Sequence, residues 1–194
     1  MEILGKILGS DAKVRIMRLF LLNKDKRFKT LDIAKRSRIN VEVVRRELRI
    51  LSSIGFVKKR AGDFIFNPLF QYVSELEQLL INTETVNKQI IIENLKKVGR
   101  VKLVLISGIF IKNKDSRVDM LIVGDGLKKA KIEEEIRKLE AEIGAELVYA
   151  IFNSKEFIYR YNMYDKLVRD ILDFPHEVLI HSKELSLVKV SRQA

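Results

Sequence analysis

The spacing of apolar residues predicts three helices near the start of the chain. Residues Asp11 to Leu22 carry a wide apolar stripe, and Thr30 is expected to cap a short second helix. Asn40 is a good N-cap for a third helix, which runs to about Ile54. The core-facing residues of this third helix are spaced three, four and three apart: Val41, Val44, Leu48 and Leu51.

The positions between these apolar residues are polar and mostly basic. Glu42, Arg45, Arg46 and Arg49 therefore point outward from the third helix. A helix with such a face can place its side chains in a DNA major groove ~12 Å wide. Together with Asn40, these four residues are candidates for contact with DNA.

A β-hairpin with a basic tip is predicted directly after this helix. Lys58, Lys59 and Arg60 come before Gly62, and the apolar run Phe64 to Phe66 forms the returning strand. The three cations are further candidates for contact with DNA.

The net charge of +11 is concentrated in the same part of the chain. Residues 1–70 hold 17 Lys and Arg against seven Asp and Glu, whereas residues 71–194 hold 20 against 19. A basic surface gains affinity for nucleic acid by releasing the counterions of the phosphates. Excess charge can also serve solubility alone, but its coincidence with the basic helix favours double-stranded DNA as a partner.

The succession of short helix, turn, basic helix and basic hairpin resembles the winged-helix domains of prokaryotic transcription regulators, of the ArsR-like type, over roughly residues 9 to 67. The resemblance implies that the third helix is a recognition helix and that the hairpin is a wing. Winged helices also serve as protein docking modules, which leaves a second role open. We assign residues 1–70 to this domain.

Residues 71–98 are predicted to form connecting helices with two apolar stripes. Both stripes could pack on the chain's own domains, or they could meet the same helices of a second subunit. A homodimer would then read two DNA half-sites. The residues of the two stripes are Tyr72, Val73, Leu76, Leu79 and Leu80, then Val86, Ile90, Ile91, Leu95 and Val98.

Residues 99–194 alternate between strand and helix patterns, which is typical of an α/β domain. The chain is therefore expected to be a two-domain protein of the α+β or α/β class. The predicted elements are strands at Val101 to Ile106, Val118 to Val123, Glu146 to Phe152 and Glu177 to Ile180, with a charged helix at Lys128 to Ile143.

Two short motifs in this second half resemble the small nucleotidyltransferases of the DNA polymerase beta-like fold, over about residues 99 to 181. In that family a Gly-Ser turn after the first strand grips the nucleotide phosphates, and an Asp-x-Asp pair opening the second strand holds Mg²⁺. Here Ser107 and Gly108 stand at the turn in reversed order, Arg117 takes the first Asp position, and Asp119 takes the second. The resemblance implies a mixed sheet with helices and a degenerate nucleotide site.

Arg117 argues against catalysis, because two-metal phosphoryl transfer needs carboxylates that hold two cations ~3.5 to 4 Å apart. We therefore expect no enzyme activity and no cofactor, although Asp119 alone could bind one metal weakly. Arg117 could instead bind the phosphate of a nucleotide or another small effector. The simpler alternative is an ion pair with Asp115 or Asp119.

Composition excludes several other classes. The absence of Cys rules out disulfides and thiolate metal sites, and two His make a structural zinc site unlikely to form. No run of ~18 uncharged apolar residues and no signal-peptide pattern is found, so we expect a cytoplasmic protein without a membrane partner.

The sequence favours a DNA-binding transcriptional regulator with an inactive domain for assembly or ligand sensing. An active nucleotidyltransferase and an antitoxin-like or scaffolding protein are the alternatives.

Overall fold

The computed structural model describes residues 3–81, 86–113 and 115–185. The fold is mixed α+β, with helices and two small sheets. The chain divides into two compact units, one formed by Met1–Asn87 and Arg137–Glu146, the other by Lys88–Ile136 and Leu147–Ala194. None of the helices in the described ranges has the length and apolar character that a bilayer crossing requires.

The first unit contains helices and a three-stranded sheet. In chain order its elements are α1 (Ile3–Ile7), α2 (Asp11–Leu22), β1 (Arg27–Phe28), α3 (Thr30–Ser37), α4 (Val41–Ser53), β2 (Val57–Arg60), β3 (Asp63–Phe66) and α5 (Val73–Leu80). The predicted bounds of α2 are confirmed, and Asn40 is the N-cap of α4. Thr30 is not a cap, because it is the first helical residue of α3 and Lys29 precedes it as the cap.

The predicted hairpin is formed by β2 and β3, which pair in antiparallel register from Val57 with Phe66 to Arg60 with Asp63. Ala61 and Gly62 make the two-residue turn with φ angles of 51° and 89°. Positive φ at both central residues is the geometry of a type I′ turn, whose twist matches that of the strands. β1 pairs with the other edge of β3, giving the order β1-β3-β2.

Residues of the segment Arg137–Glu146 are hydrogen-bonded to Arg18 of α2 and to Asn23, which follows that helix. The Arg18 side chain is fully buried, and it donates from Nε to the carbonyl oxygen of Leu80 at 2.9 Å and from Nη1 to that of Glu142 at 3.2 Å. Asn23 donates to the carbonyl oxygen of Gly144 at 2.9 Å. These bonds satisfy carbonyl groups near helix ends that would otherwise lack partners.

The second unit is built around a four-stranded sheet of β4 (Arg100–Ile106), β5 (Met120–Asp125), β6 (Tyr149–Phe152) and β7 (Glu177–His181), in the order β6-β5-β4-β7. β5 is antiparallel to β4 and parallel to β6, and β4 is antiparallel to β7. The helices of this unit are α6 (Lys88–Lys96), α8 (Ser154–Asn162) and α9 (Lys166–Asp173), and a 3₁₀ turn (Gly108–Phe110) follows β4. The helix α7 (Lys129–Ile143) belongs to this unit up to Ile136.

Part of each apolar stripe of the connecting helices is buried inside the unit to which the helix belongs. Leu80 of α5 is fully buried in the core of the first unit, and Val73 and Leu76 pack against that core. Ile91 and Leu95 of α6 are 2% and 1% exposed, and α6 contacts β4 and β7. Tyr72, Leu79 and Ile90 of the same stripes are exposed, so packing within the chain covers only part of each stripe.

Candidate nucleic-acid interface

The outward face of α4 carries the predicted DNA-contacting residues. Glu42, Arg45, Arg46 and Arg49 are all exposed, whereas Val44, Leu48 and Leu51 on the opposite side are buried. Asn40 is exposed at the start of the helix, where its Oδ1 accepts a hydrogen bond from the Glu42 N–H at 2.8 Å. That bond satisfies one of the free N–H groups of the first turn, so Asn40 fixes where the basic face begins.

The three arginines of this face differ in their partners. Arg45 forms an ion pair with Glu42, one turn earlier in the helix. Arg46 contacts the carboxylate of Glu47 at 3.3 Å. Arg49 has no acidic partner within the described ranges. Its guanidinium is therefore available to a phosphate or a base edge without breaking an ion pair.

Sequence reasoning assigned no role to Glu47, which is 2% exposed. Its Oε1 accepts a hydrogen bond from the Ser10 hydroxyl at 3.0 Å, and its Oε2 lies 3.9 Å from Nζ of Lys13. The Ser10 hydroxyl also accepts from the Lys13 N–H, so one side chain caps α2 and ties it to α4. The signal that could have found Glu47 is its position three residues after Val44, on the buried stripe.

The three cations of the hairpin, Lys58, Lys59 and Arg60, are exposed on β2 and not at the predicted tip, which Ala61 and Gly62 form. Lys59 lies over the ring of Phe64, its partner across the hairpin, with Nζ 6.0 Å from the ring centroid. In the described structure none of the three cations forms an ion pair. Their charge is therefore not compensated by the protein itself.

The basic helix and the basic hairpin meet at a cleft of about 720 Å³ in the first unit. Arg45 and Arg49 line it from α4, and Lys59 lines it from β2. Thr30, Ser52 and Ser53 add hydroxyl groups, and Leu48 and Phe64 supply apolar surface. The Ser53 hydroxyl already donates to the carbonyl oxygen of Ile50 at 2.8 Å. A cleft lined by cations from two elements and by the hydroxyl groups of Thr30 and Ser52 suits a phosphodiester backbone.

The residues predicted to form a nucleotide site lie together in the second unit. Ser107 and Gly108 follow β4 and are both buried. The Ser107 hydroxyl donates to the carbonyl oxygen of Val118, and the Ser107 N–H donates to that of Asp119 at 2.9 Å. A Cβ added to Gly108 would lie 2.1 Å from Oδ1 of Asp119, so the turn and this carboxylate are in direct contact.

The two charged residues of this site are both engaged. Asp119 accepts one hydrogen bond at each oxygen, from the Ile109 N–H and from the Val148 N–H, both at 2.8 Å. Arg117 forms an ion pair with Asp170 of α9, with Nε 2.5 Å from Oδ2. The hypothesis that Arg117 pairs with Asp115 or Asp119 is therefore wrong, because α9 brings a carboxylate that the local sequence does not contain.

A separate charge network lies at the end of β5. Lys102 is largely buried, and its Nζ lies 2.7 Å from Asp125 and 2.8 Å from Glu184, which also pairs with Arg100. Hydrogen bonds from Lys102 and from Ser154 lower the pKa of Asp125 to about 2, while Asp125 and Glu184 raise the pKa of Lys102. The described residues include no cluster of three or more acidic or His side chains that could hold a metal ion.

Comparison of the chain with models of protein families, with curated proteins and with solved structures gave no match. Function is therefore inferred from the geometry of the chain's own residues.

Proposed function

We propose that the protein is a DNA-binding transcriptional regulator, in which residues 1–70 act as a winged helix and the second half is a nucleotidyltransferase-like domain without catalysis. In this proposal α4 is the recognition helix, and β2 with β3 forms the wing. Arg45, Arg46 and Arg49 contact DNA from the helix, and Lys58, Lys59 and Arg60 contact it from the hairpin.

The observation that carries the proposal is the cleft in which Arg45 and Arg49 of α4 approach Lys59 of β2. Two basic elements that are separate in the sequence share one concave surface of the first unit. Opposite walls of like charge repel each other unless an anion lies between them, and DNA supplies closely spaced phosphates. Arg49 and Lys59 have no acidic partner in the described ranges, so both charges are available to such an anion.

Three observations support an inactive second domain. Both oxygens of Asp119 accept backbone N–H groups, Ser107 is buried with its hydroxyl donating to a carbonyl, and Arg117 occupies the position of a metal-binding carboxylate. A nucleotide effector that binds through Arg117 would first have to displace Asp170. Nothing in this arrangement favours the alternative of an active transferase.

A homodimer that reads two half-sites remains a prediction. Tyr72 and Ile90 of the two stripes are 55% and 53% exposed, so the stripes stay candidates for that contact. Light scattering at micromolar protein concentration, with and without DNA, measures it directly.

The test of the DNA-binding proposal is a gel-shift titration of the R45A/R46A/R49A variant against the site that the wild type selects from a random duplex library. Loss of a phosphate contact should lower the salt slope by roughly one unit, and loss of a base contact should reduce discrimination by about 1 to 3 kcal/mol. A matched control is K6A/K26A/K35A, which removes the same charge from exposed lysines of the first unit that lie outside this face. Equal affinity of the wild type and the arginine variant would refute the proposal.

A further inference from the structure

Five exposed lysines lie on two neighbouring turns of the second unit. Lys96 is the last residue of α6, and Lys97 follows it. Lys128 precedes α7, Lys129 begins it, and Lys131 lies in its first turn. All five side chains are exposed. We refer to this set as the lysine edge.

Backbone contacts hold the two turns together. The Lys128 N–H donates to the carbonyl oxygen of Val98 at 2.8 Å. Gly99, with φ of 152°, lies so close to the second turn that an added Cβ would stand 2.7 Å from the carbonyl oxygen of Gly126. The absence of a side chain at residue 99 therefore permits the contact that brings the lysines of both turns to one edge.

Acidic residues lie near the lysine edge in the sequence: Glu93 in α6, and Glu133, Glu134 and Glu135 in α7. Within the described ranges no lysine of the edge forms an ion pair with them, and Lys97 donates only to the amide oxygen of Asn94 at 3.3 Å. The first turn of α7 contains no acidic residue. Asp125, which ends β5 just before the second turn, is already paired with Lys102.

The second acid of the neighbouring network is also occupied. Glu184 lies 2.8 Å from Lys102 and forms an ion pair with Arg100. The buried Lys102 therefore engages both carboxylates. Five exposed lysines, none of them in an ion pair within the described ranges, thus lie on adjacent turns in a half of the chain whose total charge is close to neutral.

We infer that the lysine edge is a second contact surface for the phosphate backbone of duplex DNA, in addition to the basic cleft of the first unit. This inference rests on the proposed function, because it extends the same ligand to a second surface. Lysine ammonium groups are point charges without the planar fork of arginine, so they suit phosphates better than base edges. The edge adds affinity that depends on salt and does not select sequence.

The experiment measures the salt dependence of binding to a random duplex of about three helical turns, by fluorescence anisotropy of the full chain between ~50 and ~200 mM NaCl. The K96Q/K129Q variant removes one charge from each turn. Each lost phosphate contact should lower the slope of log K against log salt by about 0.9. The matched control is K155Q/K166Q, which removes two exposed lysines of the same unit that have no ion pairs.

A lower slope for K96Q/K129Q with an unchanged slope for the control supports the lysine edge. Equal slopes for wild type and both variants, or equal losses in both variants, would overturn it and leave the proposed function intact, provided that the wild type binds. If the wild type binds no duplex even at the lowest salt, the proposed function fails and this inference fails with it.

Discussion

Asp119 accepts a hydrogen bond from the backbone N–H of Ile109 at 2.8 Å. Its second oxygen accepts from Val148 at the same distance, so the carboxylate joins the turn after β4 to the start of β6. Asp119 therefore acts as a structural clamp between these two segments.

We predict that Asp119→Asn lowers the free energy of unfolding by about 1 to 2 kcal/mol, because the amide keeps one acceptor and turns an NH₂ group towards a backbone N–H. Urea unfolding followed by circular dichroism measures the change. Asp115→Asn is the control, because the Asp115 side chain is exposed. The hydrogen bond from Asp115 to Asn113 is donated by the backbone N–H, which the substitution keeps. Equal stability of the two variants would contradict the clamp. Robust nucleotide transfer by the wild type that Asp119→Ala abolishes would contradict it too.

The hairpin cations should contribute affinity without selecting sequence. We predict that K58A/K59A/R60A weakens binding to the selected site and to random duplexes by the same factor, because a wing contacts mainly the backbone. Arg49→Ala provides the contrast. If Arg49 contacts a base, its loss changes the ratio of the affinity for the selected site to the affinity for random duplexes. Titrations of both duplexes at one salt concentration give these ratios. A loss confined to the selected site would show that the hairpin reads bases.

Local sequence signals predicted α2, α3, α4 and the hairpin of the first unit, but not α1 or β1. The apolar stripe and caps indicated the bounds of α2 and the start of α4, and the basic run before Gly62 with the apolar run after it indicated the hairpin. These features depend on neighbours within a few residues, which periodicity and turn chemistry describe directly.

Contacts between distant residues were beyond such reasoning. The strands β5 and β6 begin at Met120 and Tyr149, later than predicted at Val118 and Glu146. The reason is that Asp119 and Val148 bond to each other through side chain and backbone instead of continuing a regular ladder. The ion pair of Arg117 with Asp170 likewise depends on where α9 packs, and no local pattern encodes it.

Gly144 should tolerate a side chain less well than Gly62, although their φ angles are nearly equal at 91° and 89°. A Cβ at Gly144 would lie 2.6 Å from backbone atoms of Arg18 and Leu19, whereas a Cβ at Gly62 meets nothing within 4 Å. We predict that Gly62→Ala costs only backbone strain, about 1 to 2 kcal/mol. Gly144→Ala should lower the free energy of unfolding clearly more. The added Cβ would push residue 144 away from α2 and break its hydrogen bond with Asn23. Urea unfolding measures the free energy of unfolding of both variants. Equal losses of this free energy would contradict close packing at Gly144.

The pairing of Lys102 with Asp125 should make stability depend on acid pH. The pKa of Asp125 is lowered from 3.8 to about 2, chiefly by the hydrogen bond from Lys102. A carboxylate with a lowered pKa in the folded state stabilises the protein fully above its unfolded value, and this contribution disappears as the pH falls through about 2. Wild-type stability should therefore decline between roughly pH 4 and pH 2.

Lys102→Met keeps the apolar stem and removes the ammonium group. We predict that the variant is less stable than the wild type at neutral pH, and that its stability declines less between roughly pH 4 and pH 2, because the pKa of Asp125 returns towards its ordinary value. Urea unfolding at several pH values measures both effects. Lys155→Met serves as the control, since Lys155 is an exposed lysine at the start of α8 without an ion pair. If Lys102→Met and the wild type lose stability in parallel as the pH falls, Lys102 does not set the titration of Asp125.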